Sequence, residues 1–148
     1  MTRYFDASAL VKRYVREANS TSIRRLLKLG PVATSRLSEV EVASALGRRV
    51  REGAFTSEER DRAMTSLEED LTVFIVVEVT PRITARSREL LRQHPLRAGD
   101  AVQLASCLYL QQELAEGVPF VAFDDKLAEA ARHEGLNVVA GRSGPLHR

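Results

Sequence analysis

The stretch Pro119–Ala131, PFVAFDDKLAEAA, decides the fold. Its first half, PFVAF, is a short apolar run that predicts a buried strand. Asp124 and Asp125 follow at once, and the residues after them repeat at the spacing of an amphipathic helix. A buried strand that passes directly into such a helix is typical of α/β proteins. The stretch also raises a question of chemistry, because the strand delivers two carboxylates to its carboxyl end.

The same alternation of strand and helix runs through the rest of the chain. Short runs rich in apolar or β-branched residues predict strands, and longer runs with helical spacing predict helices. This alternation predicts a three-layer α/β/α sandwich with a central, mostly parallel sheet. We expect a single domain over residues 1–140 and a loose tail over 141–148. The predicted strands cover 3–7, 31–35, 72–80, 119–123 and 136–140, and the predicted helices cover 8–17, 20–30, 37–53, 56–71, 81–94, 99–117 and 124–135.

Composition and charge exclude several classes of protein. Aromatic residues make up 5% of the 148 residues and Trp is absent, which argues against a sheet that binds RNA by stacking bases on aromatic rings. The formal net charge of +2 and the pI of about 9.0 fit a polyanionic partner. No apolar stretch reaches the roughly 20 residues that a membrane span needs, and the first residues lack a signal-peptide layout. We expect a soluble cytoplasmic protein.

Cys107 is the single cysteine and lies in the apolar stretch LASCLYL. One cysteine excludes an internal disulfide and a cysteine-based zinc site, and it fits a reducing compartment. We interpret Cys107 as a small buried hydrophobic residue.

Four acidic residues are predicted at one edge of the sheet. In parallel α/β sheets, functional sites form outside the carboxyl ends of the strands. Two of the four end predicted strands and two lie near the start of predicted helices, so all should lie at that edge. The four are Asp6, Glu41, Asp100 and Asp124.

Helix capping offers a simpler explanation for three of the four. Asp100 with Gln103, and Ser38 with Glu41, have the spacing of cap and return partners, and Asp124 could cap its own helix. These explanations treat each residue separately. They do not explain why all the carboxylates should point to one edge.

Asp6 resists the capping explanation. Ser8 is the better predicted cap for the helix that follows. A carboxylate beside Tyr4 and Phe5, at the end of a central strand, loses hydration energy unless a partner compensates it.

A divalent cation is the economical partner for such a cluster. Close carboxylates repel each other and stay ionised only when a cation compensates them. We expect Lys12, Arg97 and Lys126 to be solvated surface charges, so the sequence offers no obvious neutralising set. Oxygen ligands favour Mg²⁺ or Mn²⁺, and carboxylate-held Mg²⁺ is a common device for phosphodiester hydrolysis.

Histidines are not predicted to take part. His94, His133 and His147 lie at helix ends or in the tail and show no ligand spacing. We expect them to be surface residues. The chain also has no G-x-S-x-G, G-x-x-x-x-G-K or G-x-G-x-x-G motif.

Four stretches in order resemble PIN-domain proteins, and VapC-type toxins of toxin–antitoxin pairs in particular. They are YFDASALVKRYVRE, VATSRLSEVEVASALGRR, LRAGDAVQLAS and VPFVAFDDKLAEAAR. The resemblance covers nearly the whole chain. It implies an Mg²⁺- or Mn²⁺-dependent endoribonuclease, usually a homodimer, that a small VapB-like antitoxin holds inactive.

The resemblance also implies which residues form the site. The D-x-S/T motif of the family falls on Asp6, with Ser8 as the accompanying hydroxyl. The other three acidic positions fall on Glu41, Asp100 and Asp124. All four would be metal ligands and catalytic residues.

Two of these assignments have neighbours that compete with them. Glu39 and Glu41 face different directions on a helix, and Asp124 stands beside Asp125. The family pattern, more than physics, favours Glu41 and Asp124.

Two basic runs could hold RNA phosphates or could simply form solvated helix faces. One is GRRVREG, with Arg48, Arg49 and Arg51, and the other is IRRLLK, with Arg24, Arg25 and Lys28.

The main alternative function is a catalytically weak PIN-fold module that acts through protein or RNA contacts. A phosphoacceptor receiver domain is disfavoured because TVFIVVEVT supplies no aspartate. A phosphatase with a nucleophilic aspartate is disfavoured because DAS replaces the expected D-x-D motif.

Overall fold

The computed structural model describes residues 1–140, which form a five-stranded sheet between two layers of helices. Each pair of neighbouring strands is parallel. The predicted three-layer α/β/α fold is therefore confirmed. In chain order the strands are β1 (Arg3–Phe5), β2 (Val32–Ser35), β3 (Ile75–Val77), β4 (Phe120–Ala122) and β5 (Val138–Ala140).

β1 is the central strand of the sheet. The strand order is β3-β2-β1-β4-β5, so the chain builds one half outward from β1 and then crosses back to build the other half. The order reverses between β1 and β4, where Tyr4 pairs with Phe120 and Phe5 with Val121. In open α/β sheets this point of reversal leaves a crevice beyond the carboxyl ends of the two strands.

Seven helices connect the strands of the described chain. A 3₁₀ turn, Val11–Arg13, continues the first helix. The helices are α1 (Ala7–Leu10), α2 (Ser20–Leu27), α3 (Leu37–Arg51), α4 (Ser57–Leu71), α5 (Pro81–Gln93), α6 (Ala98–Leu114) and α7 (Asp125–His133).

The alternation of side chains along the strands divides the core in two. Tyr4 and Phe120 pack with buried residues of α5, α6 and α7. Phe5 and Val121 pack with buried residues of α1 to α4 on the opposite face. Successive strand residues point to opposite faces, so each central strand contributes to both cores.

The first predicted helix is shorter than expected. Its predicted span of 8–17 gives way after the 3₁₀ turn, because the chain bends so that Arg13 and Tyr14 reach Asp70 at the end of α4. Arg13 Nε and the Tyr14 hydroxyl each donate to Asp70 Oδ2 at 2.6 Å. With a third bond from Arg13 Nη2 to Asp70 Oδ1 at 3.1 Å, three hydrogen bonds to a distant helix form where the last turn of helix was predicted.

Cys107 is fully buried, as predicted, and burial raises the pKa of its thiol. Within residues 1–140, none of the helices has the length and apolar character needed to cross a membrane. The tail predicted for 141–148 lies outside the described residues.

Candidate active site

A cleft of about 810 Å³ opens at the carboxyl edge of the sheet, where the strand order reverses. All four predicted acidic residues line it. Asp6 directly follows β1, Glu41 lies in the second turn of α3, Asp100 lies in the first turn of α6, and Asp124 precedes α7. Four separate elements of the chain therefore bring their carboxylates to one cleft.

Asp6 is buried, and its own helix holds it in place. It is the N-cap of α1, where its Oδ1 accepts a hydrogen bond from the Ala9 amide at 2.9 Å. The Ser8 hydroxyl donates to the same carboxylate at 2.9 and 3.0 Å. The prediction that Ser8 caps this helix is therefore wrong: Ser8 lies inside α1, and its hydroxyl steadies the carboxylate that does the capping.

Burial raises the pKa of Asp6 from 3.8 to about 7. The hydrogen bonds from Ala9 and Ser8 oppose this rise, whereas the nearby charges of Asp100 and Glu41 add to it. The protein thus holds a carboxyl group that is costly to ionise without a cation beside it.

A buried hydrogen-bond network orients Glu41. Gln103 Nε2 donates to Glu41 Oε1 at 2.8 Å and to the Ser38 hydroxyl at 3.1 Å. The Tyr4 hydroxyl donates to Gln103 Oε1 at 2.6 Å, which fixes the orientation of the amide. Thr34 donates to the Phe5 carbonyl, so Ser38 must donate to Thr34 across their 2.6 Å contact. Every side chain in this network has a hydrogen-bond partner, and the network ends at the Glu41 carboxylate.

Two predicted capping pairs are therefore wrong. α3 begins at Leu37, two residues earlier than a Ser38 cap requires, and Ser38 is fully buried in the network. α6 begins at Ala98 with Arg97 as its N-cap, which places Asp100 in the first turn. The Gln103 side chain hydrogen-bonds to Ser38 and Glu41 and does not take part in capping α6. Ser38 and Gln103 have the spacing of capping residues, but in the folded protein they form the hydrogen bonds that orient Glu41.

Gly99 allows Glu41 to lie close to the start of α6. A Cβ atom at this position would collide with Glu41 Oε2. The missing side chain thus makes room for the carboxylate at the point where α3 meets α6.

Asp124 combines capping with a place in the cleft. Its Oδ1 accepts hydrogen bonds from the amides of Lys126 at 2.8 Å and Leu127 at 3.1 Å, so the prediction that it could cap its own helix is confirmed. Its Oδ2 lies 3.6 Å from the Arg97 guanidinium, which also lies 3.5 Å from Asp100 Oδ2. Burial raises the pKa of Asp100, and Arg97 opposes that rise.

The competing neighbours have other surroundings. Glu39 has 42% of its side chain exposed and pairs with Arg36 at 3.3 Å. Asp125 is exposed in the first turn of α7. The cleft is lined instead by Glu41 and Asp124.

Basic side chains line the same cleft beside the acidic residues. Lys12 is only 12% exposed, pairs with Glu17 at 2.8 Å and lies 4.9 Å from the centre of the Phe123 ring. Arg49 pairs with the other oxygen of Glu17 at 3.2 Å. The prediction of a solvated surface charge is wrong for Lys12; Arg97, whose side chain is 84% exposed, is solvated but lines the cleft. Helical spacing of four residues places Lys12 near Ser8, but this local spacing does not show that the side chain faces the cleft.

The two basic runs lie in different places. Arg48 and Arg49 line the cleft. Arg24, from the other run, donates to the carbonyls of Arg13 and Val15, away from the acidic residues.

The fold and the site together define an α/β protein with an acidic cleft at the reversal point of a parallel sheet. The chain belongs to the PIN domain family, which its sequence matches over residues 3–133. It is similar to Ribonuclease VapC49 of Mycobacterium tuberculosis, at 32% identity over 143 residues, or 96% of this chain and 97% of the relative. Ribonuclease VapC46 of the same organism is 31% identical over 93% of this chain and 95% of its own. The resemblance to PIN-domain proteins and VapC-type toxins is confirmed.

Solved structures share the fold at lower identity. VapC20 of Mycobacterium tuberculosis, a sarcin-ricin loop cleaving toxin, matches with a TM-score of 0.66 and 21% identity over 88% of this chain and 95% of its own. VapBC2 of Rickettsia felis, bound to a DNA fragment from its promoter, matches with a TM-score of 0.65 and 13% identity over 96% of this chain and all of its own.

Proposed function

We propose that this protein is a divalent-metal-dependent endoribonuclease and the toxin of a toxin–antitoxin pair. The observation that carries the proposal is the convergence of Asp6, Glu41, Asp100 and Asp124 on one cleft. Its relatives at 31–32% identity over nearly the full chain are named ribonucleases of the VapC type, which supports RNA as the substrate.

The residues present fit a hard divalent cation. The four carboxylates offer oxygen ligands, the type that Mg²⁺ and Mn²⁺ prefer. Burial raises the pKa of Asp6, so its carboxylate is costly to ionise unless a cation lies beside it. Exposed Arg97 pairs with two of the other acids. When bound, such an ion neutralises the carboxylates, activates water and stabilises charge on a phosphodiester.

The side chains of this protein prepare the cleft for that chemistry. Ser8 and the Ala9 amide hold the Asp6 carboxylate in one orientation. The buried Gln103 amide likewise holds the Glu41 carboxylate in one orientation. Carboxylates that are already oriented lose little freedom when they bind a cation, so the cleft is preorganised.

The basic wall of the cleft is suited to the phosphates of RNA. Lys12, Arg48 and Arg49 line the cleft on the side of α1 and α3. Arginine forms paired hydrogen bonds with phosphate, and the net positive charge of the chain favours approach of a polyanion. These residues would hold the strand while the acidic residues hold the ion.

The remaining parts of the proposal concern partners and setting. Solved neighbours include a toxin–antitoxin complex from Klebsiella pneumoniae, which supports a small VapB-like antitoxin as partner. We further propose a homodimer, a single domain over 1–140 and a cytoplasmic location.

Cleavage of RNA by the purified protein tests the proposal. Structured and single-stranded RNAs are incubated with Mg²⁺, with Mn²⁺ or with EDTA, and DNA of the same sequence serves as the substrate control. Asp6→Asn, which keeps an N-cap acceptor for α1, runs alongside to exclude a contaminating nuclease. We expect metal-dependent cleavage of RNA that EDTA and the substitution both abolish.

Other outcomes have clear meanings. Equal cleavage by the wild type and Asp6→Asn would contradict the site. RNA binding without cleavage across substrates and metals would favour the catalytically weak binding module.

A further inference from the structure

A second cluster of metal-ligating side chains lies at the far end of α7 from Asp124. His133 is the last residue of α7, and Glu134 follows it. His94, which directly follows α5, is 40 residues away from Glu134 in sequence but contacts it in space. At 1.5 Å per residue, the nine residues of α7 place about 13 Å between this cluster and the acidic cleft.

The three side chains point at one another. His94 Nε2 lies 2.8 Å from Glu134 Oε2, and His133 Nδ1 lies 3.9 Å from the same oxygen. One ligand atom from each of the three residues lies within 4.8 Å of the other two. The two imidazole rings meet edge to face, with centroids 5.2 Å apart. The prediction of a surface residue is therefore wrong for His94, whose side chain is only 9% exposed, and right for His133, but the two histidines are not scattered because they meet in the folded protein.

The two oxygens of Glu134 have different surroundings. Arg86 donates to Oε1 at 3.2 Å, whereas both histidines approach Oε2. An arginine on one oxygen orients the carboxylate and leaves the other oxygen for a ligand, as outer partners do at metal sites.

We propose that His94, His133 and Glu134 form a second metal site, selective for Zn²⁺ or a similar transition-metal ion. Two imidazoles and one carboxylate are a known three-ligand set for zinc, with water in the fourth position. Nitrogen ligands distinguish this site from the oxygen-only cleft, because imidazole suits Zn²⁺ and carboxylate alone suits Mg²⁺.

Binding needs only a local rearrangement. Ligand atoms about 2.0–2.1 Å from a tetrahedral ion lie roughly 3.3 Å apart, so the widest gap must close by about 1.5 Å. The side chain of His133 is 77% exposed and is free to turn inward, whereas that of His94 is 9% exposed and already fixed. The ion would replace the proton between His94 Nε2 and Glu134, and the ring would carry its proton on Nδ1.

An ion at this place would join the ends of α5 and α7. The chain runs from His94 to Arg97, which lines the acidic cleft. The proposed site and the cleft are thus connected through four residues, although their ligands are separate.

Calorimetric titration with Zn²⁺ tests the proposal. The full chain, free of any histidine tag and stripped with EDTA, is titrated in millimolar Mg²⁺ so that the oxygen-only cleft is saturated. We expect one equivalent of Zn²⁺ to bind. His133→Ala removes an exposed ligand with little risk to the fold, and Glu134→Gln tests the carboxylate. Each should weaken binding by at least about tenfold, since even outer partners of metal ligands contribute that much.

Two controls decide where the ion sits. Glu129→Gln removes an exposed carboxylate from the same helix and should leave Zn²⁺ affinity unchanged. Asp6→Asn should also leave it unchanged, although it disables the acidic cleft. Absence of Zn²⁺ binding in excess Mg²⁺, or equal binding by the wild type and both ligand variants, would overturn the second site. Loss of binding in Asp6→Asn alone would move the ion to the acidic cleft and overturn it too.

Discussion

Glu39 and Glu41 lie two residues apart on α3, yet their surroundings differ. Glu41 receives a hydrogen bond from buried Gln103 and lines the cleft, whereas Glu39 pairs with Arg36 near the surface. The same side chain at two positions therefore has different surroundings, and of the two it is Glu41 that faces the cleft where we propose a cation binds.

Substitution of this pair separates a ligand from a surface charge. Glu41→Gln should lower RNA cleavage by about 100-fold or more, because a catalytic ion contributes several kcal/mol to the barrier. Glu39→Gln should leave cleavage near the wild-type level and change the free energy of unfolding by less than about 1 kcal/mol. Initial rates in saturating Mn²⁺ measure the first effect and urea unfolding the second. Equal losses of cleavage in both variants would contradict the assignment of Glu41.

Asp6 should make the stability of the metal-free protein fall as the pH rises. Its pKa is about 7 in the folded protein and 3.8 in the free group, so between these values the folded state keeps a proton that the unfolded chain has lost. The stabilisation is complete below about pH 3.8 and is lost as the pH rises through about 7. It amounts to about 4 kcal/mol at most, since a tenfold change in acid dissociation corresponds to about 1.4 kcal/mol.

Urea unfolding in EDTA at about pH 5 and pH 8 measures this loss. Asp6→Asn should flatten the pH dependence, and Mg²⁺ should restore stability to the wild type at the higher pH. An equal pH dependence in Asp6→Asn would show that other groups cause it.

Sequence could identify the acidic residues but not what surrounds each of them. The end of a strand and the start of a helix are local patterns, so Asp6 and Asp124 could be predicted at the edge of the sheet. The roles of Ser8 and Gln103 could not, because both depend on which groups lie nearby after folding. Local capping rules favoured Ser8 as a cap, whereas the folded protein uses Asp6.

At the scale of elements, the packing of α6 against α3 depends on one glycine. Gly99→Ala should favour helix formation by up to about 1 kcal/mol, but its Cβ collides with the Glu41 carboxylate. Because that carboxylate is the flexible end of a side chain, the fold should survive while Glu41 moves. We therefore expect a folded protein with weakened Mn²⁺ affinity and reduced cleavage.

Gly47 provides the matched control. It also lies inside a helix, and a Cβ there would meet only the Arg51 guanidinium, at 3.5 Å, which is an ordinary contact. Gly47→Ala should stabilise the protein with cleavage unchanged. If Gly99→Ala retained full Mn²⁺ affinity, the close approach of Glu41 to α6 would have no functional meaning.

Most elements follow from the sequence, and the exceptions have tertiary causes. Helical spacing predicts α3 to α7 to within a few residues, and β-branched runs predict the strands. The first helix ends early because Arg13 and Tyr14 bind Asp70 from a distant helix. β3 is limited to Ile75–Val77, although the apolar run is longer, because pairing with β2 reaches only three residues.

At the scale of the whole molecule, the cleft places acidic and basic side chains together. Neither the strand order nor the meeting of α1, α3 and α6 can be obtained from local pattern, so the positions of Lys12 and Arg97 in the cleft were unpredictable. The same is true of His94 and His133, which come from helices far apart in sequence. Long-range packing creates these neighbours.

RNA affinity should depend on the basic wall. In an Asp6→Asn background that prevents cleavage, Arg48→Ala should weaken RNA binding and lower the slope of log affinity against log salt by about 0.7, the value for one phosphate contact in single strands. Arg51→Ala, in the same basic run, is the control, since of the described residues Arg48 lines the cleft and Arg51 does not. Equal changes in both variants would indicate a diffuse electrostatic attraction.

The proposed metal centre of the acidic cleft is tested most directly by calorimetric titration of the purified protein with Mn²⁺. We compare the wild type with Asp6→Asn and with Asp125→Asn, an exposed aspartate beside the cleft residue Asp124. The geometry predicts that Mn²⁺ binds the wild type and Asp125→Asn with equal affinity and that Asp6→Asn loses this binding. Undiminished Mn²⁺ binding by folded Asp6→Asn would contradict a metal centre built on these four carboxylates.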